Sequence, residues 1–385
     1  MLDFHNTYPD TVFKFQNNNT LGIKALTYGE LFFCHLNDLN DPYDTKSPFF
    51  FKKDNQKIKN LIVHFMKTDN QVRNCFLPLM EQIDLRRIVS MISSDDLLMD
   101  ELIDIIDSKE FEDTVNSTFS ELKVPESLGL SIIFRKHLKK HIQKWLGSSA
   151  YIISFSKNWN NPVMWSHYAN QHKGFCLCFN IQDNKLISKK ASVSNGLQNE
   201  YEINEVDYKY STVYADAYLG FPGNPSGDKI SKKEIDTYRK NILNSHLTKF
   251  ESWRYEDEVR LVHINSMPFV DSNGIKILEP NKRIFYYDQK QLTGLIYGAR
   301  MNKQDRDDIT SIIRDNRQQV LTENNYLPLF IFYDSKESQK DFFMHQNPLF
   351  GLDSLNRAFN LKDYDSEYKR YRELKDYFDK QQINK

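Results

Sequence analysis

At 385 residues the chain is longer than one ordinary compact domain requires; length divided by about 150 gives two to three units, and one domain carrying a large insertion fits equally. With 40% hydrophobic and 27% charged residues it resembles soluble globular chains, which excludes a wholly disordered, collagen-like or coiled-coil protein. Fifty-one basic against 52 acidic residues leave a formal charge of -1, so no global positive field draws it to nucleic acid or an anionic membrane, and any such binding must be local.

The first residues lack the charged-then-apolar order of a secretory signal, and no run approaches the ~20 apolar residues of a bilayer-spanning helix. The expectation is a cytoplasmic, reduced protein with no membrane partner. Residues 11–15 alternate as a strand, residues 20–28 read as a helix with Thr20 as N-cap and Gly29 at its end, and residues 31–36 read as a second strand. The loop 37–44 sets three Asp and two Asn around a proline, more side-chain acceptors than one turn needs. From about 55 to 147 the period changes to 3.6, a helical block. Its segment 84–113 is acidic, whereas its last helix is basic through Arg135, Lys136, Lys139, Lys140 and Lys144. Such a face is either simply solvated or a local nucleic-acid or partner surface. His137 and His141 stand at i and i+4, but no third ligand accompanies them on that helix, so no metal is expected there.

Strand signals return at 151–156, a short helix runs through Trp165 and Tyr168, and 174–180 reads as a strand. In it Cys176 and Cys178 share one face as buried packing, with Phe175, Leu177 and Phe179 on the other. Together with Cys34 and Cys75 they are too few and too unevenly spaced for a disulfide scaffold or a zinc signature. Residues 183–230 are polar and loop-rich, and the Gly- and Pro-rich stretch 220–227 reads as a surface excursion or lid. Ser231 and Glu234 form a capping box opening a helix expected to run to Trp253. Strands follow at 259–264, 282–288 and 292–297, then a helix at 303–323 and a strand at 329–333. From Ser335 a charged helical tail is expected, striped by Tyr364, Tyr368, Tyr371, Leu374 and Phe378 for packing on the domain or on a second copy, a route to a homo-oligomer. The expected organisation is α+β: a discontinuous core at 1–53 and 148–335, a helical insertion at 54–147 and a helical extension at 336–385.

Chemistry-bearing residues concentrate in three of these strands. If 253–262 is one strand, Glu256, Glu258 and Arg260 project from one face while Asp257, Val259 and Leu261 project from the other. Carboxylates two apart on a strand repel, so such a row suits a cleft, a cation or an electron-poor transition state; the plainer reading is a surface ladder of ion pairs. Ser154 and Ser156 share a strand face and can contact a ribose. Lys14 lies opposite Phe13 and Phe15, able to meet a phosphate or to lie on the surface.

In this order the three segments resemble the R-S-E class of ADP-ribosyltransferases: a basic residue on the first strand, a Ser-x-Ser strand in the middle and an E-x-E near the end. The resemblance implies an ADP-ribosyltransferase-like mixed or antiparallel β core, NAD as co-substrate and a set of roles. Glu258 would hold the ribose 2′-hydroxyl and the oxocarbenium ion, Glu256 would orient or deprotonate the acceptor, and Arg260 would complete the catalytic row. Ser154 and Ser156 would shape the ribose pocket, Lys14 would meet the phosphates, and Phe15, Tyr168 or Trp165 would stack on nicotinamide. Two positions depart from that class. Lys14 stands where it has Arg, without the bidentate fork, and Phe155 stands where Thr is usual.

A wider set of residues is similar to the bacterial family catalogued as domain of unknown function 2971, over about residues 10–335. It comprises Lys14 and Phe15, residues 40–44, Ser154 to Ser156, residues 164–169, residues 172–175, Trp253 with Glu256, Glu258 and Arg260, and Gly298. The family's members are suspected in stress or phage-defence settings. Trp165, His167, Tyr168 and His172 enter as candidates through this resemblance, with His167 read first as a structural histidine. The expected activity is that of a toxin-like or antiphage effector that splits NAD and passes ADP-ribose to a protein, a nucleic acid or water, with an antitoxin or sensor as a further partner. The alternatives are a metal-dependent nuclease using Asp41, Asp44, Glu256 and Glu258 as an oxygen-rich magnesium site, and a non-catalytic ligand sensor.

Overall fold

The computed structural model describes residues 10–41, 44, 48–122, 129–146, 149–181, 183–189, 197–225, 227–265, 270–271, 274–324, 330–338, 343–352 and 358–359. Its centre is an open sheet built from β1 (Thr11–Gln16), β2 (Cys34–His35), β3 (Ser149–Ser156), β4 (Phe175–Asn180), β5 (Asn204–Glu205), β6 (Glu258–Asn265), β7 (Leu292–Tyr297), β8 (Phe330–Glu337), β9 (Met344–Leu352) and β10 (Ala358–Phe359). The order is β5-β6-β3-β1-β4-β7-β8-β9-β10, with β2 also paired to β3. Neighbours run antiparallel except β7 and β8. A parallel pair needs a long crossover, and the helix Lys303–Asn324 supplies it. The fold is therefore α+β with a mixed sheet.

Period-2 alternation gives the sheet two packed faces. Val12, Ile153, Phe155, Leu177, Phe179, Val259, Leu261 and Leu295 share a core with Ala25 and Leu26 of α1 (Thr20–Thr27) and with Ile309 and Ile313 of the crossover helix. On the other face Phe13, Phe15, Cys176, Cys178 and Ile296 pack under Met164 and Trp165. Covered on both sides, β4 is almost wholly apolar, as a strand in that position must be; its two cysteines are buried and unpaired, as expected.

The helical block comprises α2 (Asn55–Thr68), α3 (Asn70–Phe76), α4 (Arg86–Ile92), α5 (Met99–Asp107), α6 (Lys109–Ser120) and α7 (Leu130–Leu146). It has its own core, in which Phe134 meets Phe65, Phe76 and Phe119 at 5.5–5.9 Å between ring centroids. Ala215, Ala217, Tyr218 and Phe221 join that core, so the segment read as a lid is partly a stitch into the block. Phe221 stacks on His141 at 5.7 Å. His137 and His141 diverge, the first to Asp69 at 3.2 Å, the second to His64 with ring centroids 5.6 Å apart. Among the described residues no group of three or more His, Cys, Asp or Glu is placed to hold a metal ion, and no helix is long and apolar enough to cross a membrane.

The structure corrects the sequence reading at four places. Asn19, not Thr20, caps α1, accepting from the Gly22 amide at 3.0 Å. The helix opened by Ser231 and Glu234 is Lys232–His246 and stops short of Trp253, because residues 248–250 are drawn into a parallel pairing with 207–209. Residues 251–256 form a 3-10 helix rather than a strand, and β6 begins only at Glu258. Finally, residues 336–359 do not form a helix where described: β8 continues to Glu337 and β9 and β10 extend the sheet beyond it, since the outer edge of β8 offers unpaired backbone groups. The aromatic stripe from Tyr364 to Phe378, and with it the expected self-association surface, lies outside the described residues.

Candidate functional site

β3 pairs with β6 along its whole length, but on its other edge it meets β1 only at Ser156, opposite Phe13, and β2 only at Tyr151 and Ile152. Between those contacts the sheet has a seam. A side chain bridges it: Lys14 Nζ donates to the Ser154 carbonyl at 2.8 Å and lies 5.8 Å from the centre of the Phe155 ring. Burial pulls the Lys14 amine down from its ordinary value, with Glu258 acting in the opposite direction. A cavity of about 200 Å³ opens here, lined by Lys14, Phe15, Ser154, Ser156, Tyr168, Lys249, Glu256 and Glu258, together with Phe32, Asn40 and Asp44.

The acidic pair reaches this cavity through a turn in the backbone rather than through strand alternation. Asp257 adopts the left-handed conformation (φ 45°) between the 3-10 helix and β6, a geometry Asp tolerates better than most residues. Glu256 and Glu258 thereby share one cation: Lys249 Nζ donates to Glu256 Oε2 at 2.5 Å and to Glu258 Oε2 at 2.9 Å, with the Trp253 ring 5.0 Å away. Behind them Arg260, only 1% exposed, uses its complete set of five N–H donors. Nε and Nη2 donate to Glu258 at 2.8 and 3.0 Å, Nη1 and Nη2 to Asp44 at 2.9 and 2.5 Å, and Nη1 to the His246 carbonyl at 2.8 Å. This is the bidentate recognition that only Arg supplies. On the cavity side the Tyr168 hydroxyl donates to Glu256 Oε1 at 2.5 Å and accepts from Asn40 Nδ2 at 3.1 Å.

These partners drive the two carboxyls apart. Burial alone would raise Glu258, but Arg260, Lys249 and the Ser154 hydroxyl outweigh it and hold the group far below the ordinary carboxylate range. Burial raises Glu256, and the nearby Glu258 charge adds to the rise against the pull of Lys249. Lys249 is itself raised: its burial is outweighed by Glu258 and Glu256. Burial and the Glu256 carboxylate push the Tyr168 phenol well above its ordinary value.

Not every candidate faces the cavity. Phe15 is buried and meets Trp165 edge-on at 5.2 Å; Trp165 is fully buried and donates its indole N–H to the Trp159 carbonyl at 2.7 Å. Trp165 offers no free ring face, so of the expected stacking residues Phe15 and Tyr168 line the cavity and Trp165 does not. The Ser156 hydroxyl is spent on backbone, 2.6 Å from the Glu256 carbonyl and 2.8 Å from that of Asn158. Asp41 is buried but outside the lining. His167 is exposed beside Tyr168; His172 is buried, stacked on Trp165, with Nε2 3.2 Å from Ser166 Oγ. Sequence reasoning missed Lys249, the cation between the two glutamates, and Phe32, a half-exposed ring at the cavity wall. A signal for Lys249 existed: two carboxylates expected on one buried face demand a cation within reach.

Fold and site together define an α+β protein with a buried acid–base cluster at a seam of its sheet. Residues 164–261 match the family described as "Protein of unknown function (DUF2971)". The match includes Tyr168, Lys249, Glu256, Glu258 and Arg260, whereas Lys14, Asn40, Asp44 and Ser154 precede it. Neither a curated protein nor a solved structure matches the chain.

Proposed function

We propose that this cavity cleaves the nicotinamide N-glycosidic bond of NAD and passes ADP-ribose to a macromolecular acceptor or to water, as a toxin-like or antiphage effector acting in the cytoplasm. The observation that carries this reading is the opposite displacement of the two carboxyls at one cavity, Glu258 held ionised and Glu256 shifted toward protonation. Carboxyls with separated titration divide the electrostatic and proton-handling roles of glycosidic cleavage between them. Nicotinamide leaves with the C–N bonding pair, Glu258 stabilises the oxocarbenium ion, the acceptor's lone pair forms the new bond to C1′, and Glu256 takes the acceptor proton. With Glu256 ionised, the carboxylates of Asp44, Glu256 and Glu258 are paired with Lys249 and Arg260, and Lys14 lines the same cavity within the field of Glu258.

The cavity's dimensions bound the ligand. About 200 Å³ lies below the roughly 300–1,000 Å³ of pockets that enclose whole small molecules, so the fit is to the nicotinamide ribose end, with the adenylate outside. Lys14 is committed to the Ser154 carbonyl, and phosphate binding is not assigned to it. The magnesium-dependent nuclease is the weaker reading, because Lys249 and Arg260 fill the space between Asp44, Glu256 and Glu258 that a divalent ion would need. One observation favours a non-catalytic sensor: every donor of Arg260 is satisfied within the protein, which is also how purely structural ion networks are built.

The experiment is release of nicotinamide from NAD by the purified full chain, followed by chromatography, with Glu258→Gln expected to reduce the rate at least ~100-fold. NAD left intact by folded wild-type protein, with protein and nucleic-acid acceptors supplied, overturns the enzymatic reading. A thermal midpoint raised by NAD or nicotinamide without turnover would instead favour the sensor.

A further inference from the structure

We infer that the basic face of α7 binds the phosphate backbone of a single-stranded nucleic acid. A second cavity, about 500 Å³, lies on the helical block, where Arg135, Lys136, Lys139 and Lys140 face Gln71 and Asp107. It shares no lining residue with the carboxylate cavity.

Its cations fall into two rows with different roles. Arg135 and Lys139 are tied down: Arg135 donates to the carbonyls of Ile106 and Asp107 at 3.1 and 3.2 Å and pairs with Glu112 at 2.9 Å, while Lys139 pairs with Asp107. These contacts anchor α7 to the end of α5 and consume the nearby acids. Lys136, Lys140 and Lys144 recur every four residues, hence along one strip of the helix, and none has an ion-pair partner among the described residues. At 1.5 Å per residue the strip is about 12 Å long. A nucleic-acid strand advances about 3.4 Å per phosphate along a duplex axis, so the strip matches three or so successive charges.

The strip also continues past the cavity. Lys144 is not part of the lining; it lies 4.9 Å from the centre of the half-buried Trp145 ring. A free nucleotide would fill the cavity and stop there. A strand would run on to Lys144 and bring a base to an aromatic side chain, the pairing of charge and stacking that single-strand binders use. A chain of formal charge -1 has no net positive field to draw in a polyanion, so the attraction is local to this row.

The test is fluorescence anisotropy of the full chain with a labelled single-stranded oligonucleotide of about 12 nucleotides, within the site sizes of such binders, across a salt series. Three phosphate contacts predict a slope of log K against log salt near about -2. The Lys136→Gln/Lys140→Gln/Lys144→Gln variant keeps helix propensity and is expected to lose at least about tenfold in affinity at low salt and to flatten the slope. Each single Gln variant is expected to lose about threefold, which keeps the test decisive if the triple variant folds poorly. Absence of binding at low salt, single and triple variants that bind as tightly as wild type, or displacement of the oligonucleotide by an equal concentration of a free nucleoside triphosphate would each overturn the assignment. Nicotinamide release serves as the separate readout, because the three lysines lie outside the carboxylate cavity.

Discussion

Replacing Lys249 by Met tests whether one buried cation holds the acidic pair together. Lys249 is 5% exposed, and its ammonium touches Glu256 and Glu258 at 2.5 and 2.9 Å and lies 3.7 Å from Asp44. Met keeps the volume and removes the charge, leaving Glu256 with only the Tyr168 hydroxyl among the contacts described above. Removing one partner of a buried ion pair costs about 3–5 kcal/mol, a fall of about 4–6 °C in the thermal midpoint of a chain this size. The pH dependence sharpens the test. Glu256 is raised in the folded state, so its contribution is fully present below its unfolded value of about 4.3 and is lost as pH rises through the folded value. Glu258 is depressed, and its contribution is present above the unfolded value and lost only as pH falls through the folded one. Without Lys249 the Glu256 carboxyl rises further, so the deficit of the variant should grow from pH 5 to pH 8. Scanning calorimetry at several pH values reads this directly. Adding Glu256→Gln to Lys249→Met should recover at least half of the loss at pH 8, by the logic of a double-mutant cycle. A single variant that melts within about 2 °C of wild type, a deficit flat in pH, or a double variant no better than the single would refute the electrostatic account of the cluster.

Tyr168→Phe removes the donor to Glu256 Oε1; a loss of about 1.5–3 kcal/mol is expected for a hydrogen bond to a charged group, and the acidic limb of a pH–rate profile should move upward as Glu256 rises. His141 is pulled down to about 4, chiefly by burial and then by His64, and its Nε2 has no hydrogen-bond partner among the described residues. Its contribution to stability is therefore lost as pH falls from about 6.5 toward the folded value, at up to about 1.4 kcal/mol per pH unit. His141→Phe, stacked on Phe221, should make urea midpoints less sensitive to acid over that interval. In Gly298→Ala the new Cβ would lie 2.3 Å from the His172 carbonyl oxygen and 2.6 Å from that of Gly174; neither backbone can yield cheaply, and a loss of about 1–3 kcal/mol by chemical denaturation is expected.

Elements governed by local period were legible. The strands at 11–16, 175–180 and 292–297 and the helix at 303–324 stand close to where alternation and 3.6-residue spacing put them, because their apolar faces are set by nearest neighbours. What failed depended on distant partners. Residues 248–250 look like the continuation of a helix until the strand at 207–209 claims them, and β9 forms because β8 has an edge to cover. In the site, the Glu256–Glu258–Arg260 motif was visible, but the left-handed Asp257 that aims it and the Lys249 between its carboxylates were not. Trp165 was misread as a ligand-facing ring, since composition cannot tell a stacking platform from a core side chain whose N–H has found a carbonyl.

The helical block closes its interior around Phe65 and Phe134, yet four of the side chains inside it, Ala215, Ala217, Tyr218 and Phe221, come from a segment far downstream. The core of the block is thus assembled from separate stretches of chain. Deleting the downstream stitch would leave a hollow among the helices, and deleting residues 54–147 would strip the cover from its apolar side chains.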